Sequence, residues 1–380
     1  MKIYYWSPFF TNIATIKAVI KSATAFIKFS KKKVDVALID SIGEWDSYKN
    51  EINPKINIIK LNKVKLIKFL PKDGFIKSRI SYIVIFFWNF FSLIKMVNQK
   101  IPNFLIIHLM TSLPIFLSIF FNKKTKIILR ISGLPKINIL RHFFWKIFSK
   151  KIYKVTCPTL KTYNYILEKK IFNKEQLEIL YDPIIDMCEF RNKKKEVLNF
   201  DVLKNKKYII GIGRLTRQKN FSLLINFFNQ IKNKEYDLVI LGVGENEHKL
   251  KKMVADHGIN GRVHFLGQQA NVFKFLINAD CFILTSLWED PGFVIVEAGI
   301  SNTPLISSNC PNGPEEIIGN NGFLFKNNDL PDLLFQFNKF LNENDSDLLR
   351  KKILFKKNLK RFTLFQHFKK INEILNNNIL

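Results

Sequence analysis

Short apolar segments of strand length alternate with longer segments of helical period along almost all of the 380-residue chain. When a helix separates two strands, it crosses over the sheet and returns the chain to the same end, so the strands pair in parallel. Parallel sheets carry helices on both faces. The pattern therefore predicts an α/β fold, and the chain is long enough for two such domains with complete cores.

The predicted strands form two series. The first comprises Lys2 to Tyr5, Val34 to Ile39, Ile56 to Leu61, Phe104 to Leu109, Lys126 to Ile131, Lys154 to Cys157 and Gln176 to Leu180. The second comprises Tyr208 to Gly213, Tyr236 to Leu241, Val263 to Leu266, Cys281 to Thr285, Leu305 to Ser308 and Phe323 to Phe325. We expect two doubly wound Rossmann-like domains that face each other across a cleft.

The predicted domain boundaries follow from a change of composition between the two series. The stretch Asp182 to Lys206 begins with Asp-Pro and is rich in Lys and Arg. We expect an N-terminal domain of residues 1–190, a linker at 191–206 and a C-terminal domain of 207–360. A terminal helix at 361–380 is expected to pack back on the N-terminal domain.

The formal net charge of +29 has two explanations that remain open. One is codon bias, because Lys, Ile, Asn and Phe are all abundant. The other is attraction to an anionic membrane surface or a phosphorylated substrate. We expect no nucleic-acid partner, because no recognisable binding module is present. Four cysteines without a CxxC pair suit a reduced cytoplasmic protein, and Lys17 and Lys21 interrupt any signal-peptide layout.

Three apolar segments of the first half are informative. Phe104 to Phe121 is interrupted by polar residues and Pro114, so a buried strand and helix are more probable than a transmembrane span. Ile80 to Val97 predicts a helix that is buried on most sides. Lys136 to Tyr153 predicts a basic amphipathic helix. It either faces the core, or has a dual role and lies on an anionic membrane with help from Lys63 to Lys77. Its apolar face groups Ile137, Leu140, Phe144, Ile147 and Phe148.

Two carboxylates and a basic loop are predicted to share one edge of the second sheet. Glu289 follows the strand Cys281 to Thr285, and Glu297 lies one turn into the next helix. Arg214 and Lys219 follow the first strand of this domain. The carboxyl ends of parallel strands line a ligand crevice, and the two basic side chains suit a diphosphate there. The carboxylates are interpreted either as an acid–base pair or as acceptors for sugar and ribose hydroxyls.

Two other patterns are set aside. Gly-x-Gly pairs at 211/213 and 242/244 lack the third glycine of a dinucleotide fingerprint, which Thr216 and Glu247 replace, so we expect no NAD. The Asp345-Ser346-Asp347 motif lies in the C-terminal helical tail and not after a mid-chain strand. We therefore expect no metal and no cofactor.

Five motifs of the second half carry a resemblance to a known family. They are GxGRLxxQKN at Gly211 to Asn220, Leu238 to Glu245, RVHFLG at Arg262 to Gly267, the pair Glu289 and Glu297, and SSNCPNGPEEI at Ser307 to Ile317. In this order and spacing they resemble the nucleotide-binding domain of retaining glycosyltransferases of the GT-B fold, in the large family four (group 1). The last motif is similar to that of the subgroup acting on bacterial surface polysaccharides.

The resemblance implies roles for the second-half residues. Glu289, Arg214 and Lys219 would form the catalytic set, with the two basic residues on the donor diphosphate and Glu289 on the donor sugar. Glu297 would bind the ribose hydroxyls. The other implied donor-binding residues are Gly213, Gly292 and Phe293. Asp290-Pro291-Gly292 departs from the Gly-Phe that usually follows the first Glu, at the position that would contact the donor sugar.

The first half resembles the family less closely. The stretch Trp6 to Asn12 lacks the usual glycine pair, and Ser132 stands where many members have a His. Arg130 or His108 would take over part of that role, with Thr111 also at a strand end. A core histidine bonded to backbone is an equally good interpretation of His108.

The resemblance implies a retaining enzyme of surface-glycan synthesis. It would move a hexose or N-acetylhexosamine from a nucleotide sugar, expected to be a UDP-sugar, to a lipid-linked oligosaccharide for lipopolysaccharide, capsule or a related glycan. Its expected place is cytoplasmic, peripheral on the inner face of the cytoplasmic membrane. Two alternatives stay open: a nucleotide-sugar epimerase on the same fold, and a basic membrane- or nucleic-acid-binding protein with a degenerate site.

Overall fold

The chain forms two compact units, each built on one parallel sheet. The first unit comprises Met1–Ile184 and Leu364–Leu380, and the second comprises Ile185–Thr363. The computed structural model describes residues 1–9, 14–70, 75–109, 112–231 and 235–376, with the backbone alone at 75–79 and 201. The α/β class predicted from the alternating segments is confirmed.

The first unit has a sheet of seven parallel strands. They are β1 (Lys2–Trp6), β2 (Asp35–Asp40), β3 (Asn57–Lys60), β4 (Phe104–Ile107), β5 (Lys126–Arg130), β6 (Lys154–Cys157) and β7 (Leu177–Ile179). The spatial order is β3-β2-β1-β4-β5-β6-β7, so the winding direction reverses between β1 and β4. Its helices are α1 (Ala14–Phe29), α2 (Phe75–Lys100), α3 (Ser112–Leu117), α4 (Ile139–Phe148), α5 (Leu160–Glu168) and α14 (Leu364–Asn376).

Alternate strand residues of this sheet enter two separate cores. Tyr4 and Trp6 of β1 join the core beneath α2, α3, α4 and α5, whereas Ile3 and Tyr5 join the core beneath α1 and α14. The helix α14 packs along α1, with the rings of Phe26 and Phe368 5.7 Å apart. The last helix of the chain therefore belongs to the first unit, although it follows the second in sequence.

The second unit has a sheet of six parallel strands in the order β10-β9-β8-β11-β12-β13. They are β8 (Lys207–Ile212), β9 (Tyr236–Leu241), β10 (Val263–Phe265), β11 (Cys281–Leu284), β12 (Leu305–Ser308) and β13 (Phe323–Phe325). Its helices are α6 (Met187–Lys193), α7 (Phe221–Gln230), α8 (Glu247–Asp256), α9 (Phe273–Asn278), α10 (Phe293–Ile300), α11 (Pro314–Ile318), α12 (Leu330–Leu341) and α13 (Asp345–Asn358).

The stretch 191–206, predicted as a linker, is part of this second unit. Its first residues end α6, which packs on α9: the rings of Phe190 and Phe273 lie 5.1 Å apart, and the Asn271 amide donates to the Lys193 carbonyl at 2.8 Å. The boundary between the units falls at Ile184, earlier than predicted, because α6 is anchored by tertiary contacts.

Two helices of the first unit differ from their predictions. The expectation that α2 is buried on most sides is wrong: Ile85 and Leu93 are buried against the sheet, but the opposite side is exposed. The single apolar face predicted for α4 is also wrong. Phe144 packs on the core, whereas Leu140 and Ile147 are exposed. The strand and helix predicted within 104–121 are confirmed as β4 and α3.

Candidate functional site

The candidate site lies where the strand order of the second sheet reverses, between β8 and β11. In open parallel sheets the loops at such a point diverge and leave a crevice at the carboxyl ends of the strands. The loop after β8 carries Gly213, Arg214 and Lys219, and the loop after β11 carries Glu289. The sheet thus brings together two loops that are seventy residues apart in sequence.

A buried ion pair joins these two loops. Lys219 Nζ lies 2.5 Å from Glu289 Oε1, and the Ser286 hydroxyl donates to the same oxygen at 2.5 Å. The side chain of Glu289 is 4% exposed and that of Lys219 15%. A carboxylate removed from water needs such partners, and here a cation and a hydroxyl supply them.

Backbone hydrogen bonds fix the two loops against each other. The Leu287 amide donates to the Gln218 carbonyl at 2.8 Å, and the Gln218 side chain donates to the Trp288 carbonyl at 2.9 Å. The Thr285 hydroxyl donates to the Lys219 carbonyl at 3.1 Å. The ion pair is therefore held by rigid backbone on both sides, which is the preorganisation that a binding site requires.

The Gly-x-Gly pairs serve close packing of these loops. Gly242 has a φ of 143°, and a Cβ there would lie 1.9 Å from the Gly213 carbonyl oxygen. A side chain at position 242 would therefore displace the loop after β8. This contact explains the glycine without a dinucleotide, as the missing third glycine already predicted.

The carboxylates are next to the start of α10. Gly292 caps this helix with a φ of 98°, and a Cβ on it would lie 3.4 Å from Glu289 Cγ. The N–H groups of Phe293 and the following residue precede the first intrahelical hydrogen bond, which Ile295 donates to Gly292 at 3.1 Å. Glu297 lies half-buried on the second turn of α10. The helix start thus presents a positive dipole end beside Glu289.

The loop after β12 closes the other side of Glu289. The Glu289 amide donates to the Pro311 carbonyl at 3.1 Å, and the Asn312 side chain donates to the Asp290 carboxylate. Gly313 approaches so closely that a Cβ on it would lie 1.9 Å from the Pro291 carbonyl oxygen. The departure Asp290-Pro291 is therefore held by the second Pro/Gly loop.

Neighbouring groups differ in their availability. Arg214 is exposed, and its guanidinium makes no hydrogen bond or ion pair within the described ranges. Burial, with the Glu289 carboxylate adding to it, raises the pKa of the Cys310 thiol to about 12. Cys310 is thus a neutral thiol near the site, whereas Arg214 is available to a ligand.

The candidates of the first unit do not form one open site. Arg130 is buried and binds the Leu180 carbonyl and the Asp182 carboxylate, the latter at 2.5 Å. His108 follows β4 and is buried, and burial lowers its pKa well below the usual value, with Arg130 adding to the effect. Its Nδ1 has no hydrogen-bond partner among the described residues. His108 is therefore a neutral imidazole, and Arg130 belongs to a structural ion pair.

Ser132 and Thr111 complete the first-unit candidates. The Ser132 hydroxyl is buried and has no partner in the described part of the chain, and the same holds for Ser7 after β1. Thr111 lies outside the described residues. Sequence reasoning missed Ser7, Asp182 and Ser286. Of these, only Ser286 offered a signal, as a hydroxyl three residues before Glu289 on the same loop.

No group of three or more His, Cys, Asp or Glu with metal-site geometry occurs among the residues that the structure describes. Asp345 and Asp347 lie in the first turn of α13, where Asn344 caps the helix and accepts from the Asp347 amide at 2.8 Å. Carboxylates in a first turn complement the helix dipole, which accounts for this motif.

Comparison with known proteins gives a family match for the second unit. Residues 191–358 match the family described as glycosyl transferases group 1. An uncharacterized glycosyltransferase of Methanocaldococcus jannaschii is 35% identical over 152 residues, which cover 40% of this chain and 37% of that protein. The N-acetylgalactosamine-N,N'-diacetylbacillosaminyl-diphospho-undecaprenol 4-alpha-N-acetylgalactosaminyltransferase of Campylobacter jejuni is 26% identical over 237 residues, covering 59% and 62%.

A solved structure matches the whole chain. Anabaena Alr3699/HepE, in a complex with UDP, superposes with a TM-score of 0.75 at 15% identity and covers 99% of this chain and 100% of its own. The two curated relatives are matched over about a third and under two thirds of their lengths. These findings support the group 1 glycosyltransferases as the family, and the chain has their α/β GT-B fold.

Proposed function

We propose that this protein is a retaining glycosyltransferase that moves a hexose or N-acetylhexosamine from a UDP-sugar to a lipid-linked oligosaccharide. The acceptor would belong to lipopolysaccharide, capsule or a related surface glycan. The work would take place at the cytoplasmic face of the membrane, where such carriers receive sugars from soluble donors. The relative from Campylobacter jejuni, whose name describes a diphospho-undecaprenol acceptor, supports this class of substrate.

The observation that carries the proposal is the buried pair of Lys219 and Glu289. It lies at the reversal point of the second sheet, beside the start of α10 and within the unit that matches the family. A buried carboxylate held by one lysine and one hydroxyl leaves further lone pairs for sugar hydroxyls. The pair thus offers a cation for phosphate and an acceptor for sugar at one point.

Each residue would then have a defined task. Lys219 and the exposed Arg214 bind the donor diphosphate, the first as a point charge and the second through its planar fork. The N–H groups at Gly292 and Phe293 add backbone donors. Glu289 accepts from the donor sugar and Glu297 from the ribose. When the donor binds, Lys219 exchanges part of its contact with Glu289 for phosphate oxygens.

The reaction breaks the bond between the sugar C1 and the β-phosphate oxygen and forms a bond from C1 to the acceptor oxygen. Negative charge develops on the departing diphosphate, and Lys219, Arg214 and the α10 dipole stabilise it in place. The proton of the acceptor hydroxyl passes to the departing phosphate oxygen. Attack on the face that the diphosphate leaves gives retention, and no metal or cofactor is required for this balance.

The first test is donor binding by thermal shift with UDP-, GDP- and ADP-sugars, because a ligand that binds only the folded state raises the melting temperature. We expect a shift with UDP-sugars. Lys219→Ala and Glu289→Ala should remain folded and lose transfer of labelled sugar to a lipid-linked acceptor. Exposed Lys207→Ala is the matched control and should keep full activity. Normal transfer in either site variant would overturn the site assignment.

The same assays separate the alternatives. An epimerase would convert the sugar of a labelled donor without any acceptor. A binding protein with a degenerate site would give no shift with any nucleotide sugar.

A further inference from the structure

The outer side of α2 carries an unusual apolar stripe. Its exposed residues are Ile80, Ile83, Val84, Phe87, Trp88 and Phe91. Their spacing of three and four places them on one side of the helix. The inner side, in contrast, buries the polar residues Ser81 and Asn89. This distribution is the reverse of that expected for a helix between a core and water.

The stripe is continuous with a second exposed apolar face on α4. That face consists of Ile139, Leu140, Phe143 and Ile147. Stacked rings connect the two helices through α3: Phe90 and Phe120 are 5.8 Å apart, Phe120 and Phe116 5.6 Å, and Phe116 and Phe148 5.7 Å. Both helices cover the same face of the first sheet. The two exposed faces and the exposed pair Ile119 and Phe120 are called the apolar surface below.

The surroundings of the apolar surface are basic. Lys63 and Lys68 are exposed on the segment that packs beside α2, through contacts of Leu66 with the cluster around Ile85. Exposed lysines also flank α4 at Lys146, Lys150 and Lys151. These positions surround the apolar residues with positive charge.

The sequence separates acidic residues from this region. Between Glu51 and Glu168 the chain contains a single acidic residue, Asp73, although it has 31 in all. Codon bias acts on the whole chain and does not explain such a separation. The elements that form the apolar surface, α2 to α4, all come from this acid-poor stretch.

We infer that the apolar surface inserts into the interfacial layer of an anionic lipid bilayer, with α2 and α4 lying in its plane. Large aromatic residues next to lysines suit this layer, where rings enter the acyl boundary and ammonium groups meet phosphates. Phe91 and Leu140 are each 81% exposed, which leaves the most prominent apolar side chains free to insert. The inference deepens the proposed function and rests on it only for the side of the membrane.

Two other occupants fit less well. The stretch Ile80–Lys100 is long and apolar enough to cross a membrane by length and composition alone. Spanning would remove Ile85, Leu93 and Val97 from the sheet core, so α2 lies in the plane of the bilayer. A second copy of the chain would bring two basic, acid-poor faces together, and like charges disfavour that contact.

The test is co-flotation of the full-length protein with vesicles of phosphatidylcholine alone and of phosphatidylcholine mixed with phosphatidylglycerol. We expect flotation with the anionic vesicles, less flotation at high salt, and a blue shift of Trp88 emission that Trp88→Phe abolishes. Phe87→Ser/Phe91→Ser should lower the partition coefficient by at least about tenfold. Both residues are exposed, so the melting temperature should not fall.

A matched control comes from the second unit. Phe335 and Leu349 are similarly exposed there, and Phe335→Ser/Leu349→Ser should float like the wild type. Equal flotation of the Phe87→Ser/Phe91→Ser variant and the wild type would overturn the inference. So would a change in that variant from dimer to monomer with flotation unaltered, which would identify a second copy as the occupant. Donor thermal shifts on the same proteins report separately on the proposed function.

Discussion

The buried pair of Lys219 and Glu289 should make the two residues strongly interdependent for stability. Their charged atoms are 2.5 Å apart, and the side chains are 15% and 4% exposed. At an effective dielectric constant of ~20, unit charges at this distance attract by roughly 6 to 7 kcal/mol. Desolvation of both charges offsets much of this attraction. Removal of one partner should therefore cost about 3 kcal/mol in the free energy of unfolding, because the other stays buried without its counter-charge.

The assay is a double-mutant cycle with Lys219→Met, Glu289→Gln and the double variant. Urea denaturation of the full-length protein, fitted for its two units, gives the free energies. The double variant should be destabilised by less than the sum of the single variants, with a coupling energy of about 2 kcal/mol. The exposed pair Lys207 and Glu235, 3.2 Å apart, is the control and should show no measurable coupling.

Additive effects at Lys219 and Glu289 would refute this reasoning. They would mean that the two charges are solvated in solution, and the pair would then no longer support a preorganised site.

Two further predictions concern backbone packing and pH. Gly313→Ala should destabilise the protein by at least about 2 kcal/mol because its Cβ would meet the Pro291 carbonyl, whereas Gly261→Ala, with open space around it, should not; thermal denaturation distinguishes them. Burial lowers the pKa of His367 from 6.5 to about 3, so the unfolded state binds a proton that the folded state does not. Stability should therefore fall as the pH decreases from 6.5 towards 3, by up to about 1.4 kcal/mol per pH unit, and His367→Gln should reduce this slope in denaturation measured across the range.

The alternation of strands and helices was readable because it depends on local patterns. Strand segments are short and apolar, helices are longer, and these periods do not depend on distant residues. The motifs of the second unit were readable for the same reason, since each lies at a strand end. The predicted linker at 191–206 failed because its polar composition does not show that α6 is anchored by Phe190 on α9.

The burial of α2 and α4 could not be predicted, because both helices are apolar on more than one side. A hydrophobic period identifies the inner side only when the outer side is polar. In α2 the sheet selected the side with Ser81 and Asn89 and left Phe87 and Phe91 exposed. Arg130 is a similar case, since its partner Asp182 is 52 residues away and the ion pair exists only once β5 and β7 lie in one sheet.

The sequence by itself determined the α/β class, the two series of strands and the positions of Arg214, Lys219, Glu289 and Glu297 at strand or helix ends. These properties follow from local periodicity and from the rule that ligands bind at the carboxyl ends of parallel strands. Only the tertiary structure decided that β8 and β11 are neighbours, and therefore that Lys219 meets Glu289 across seventy residues. The physical reason is that strand order is set by packing of the whole sheet, which no local segment encodes.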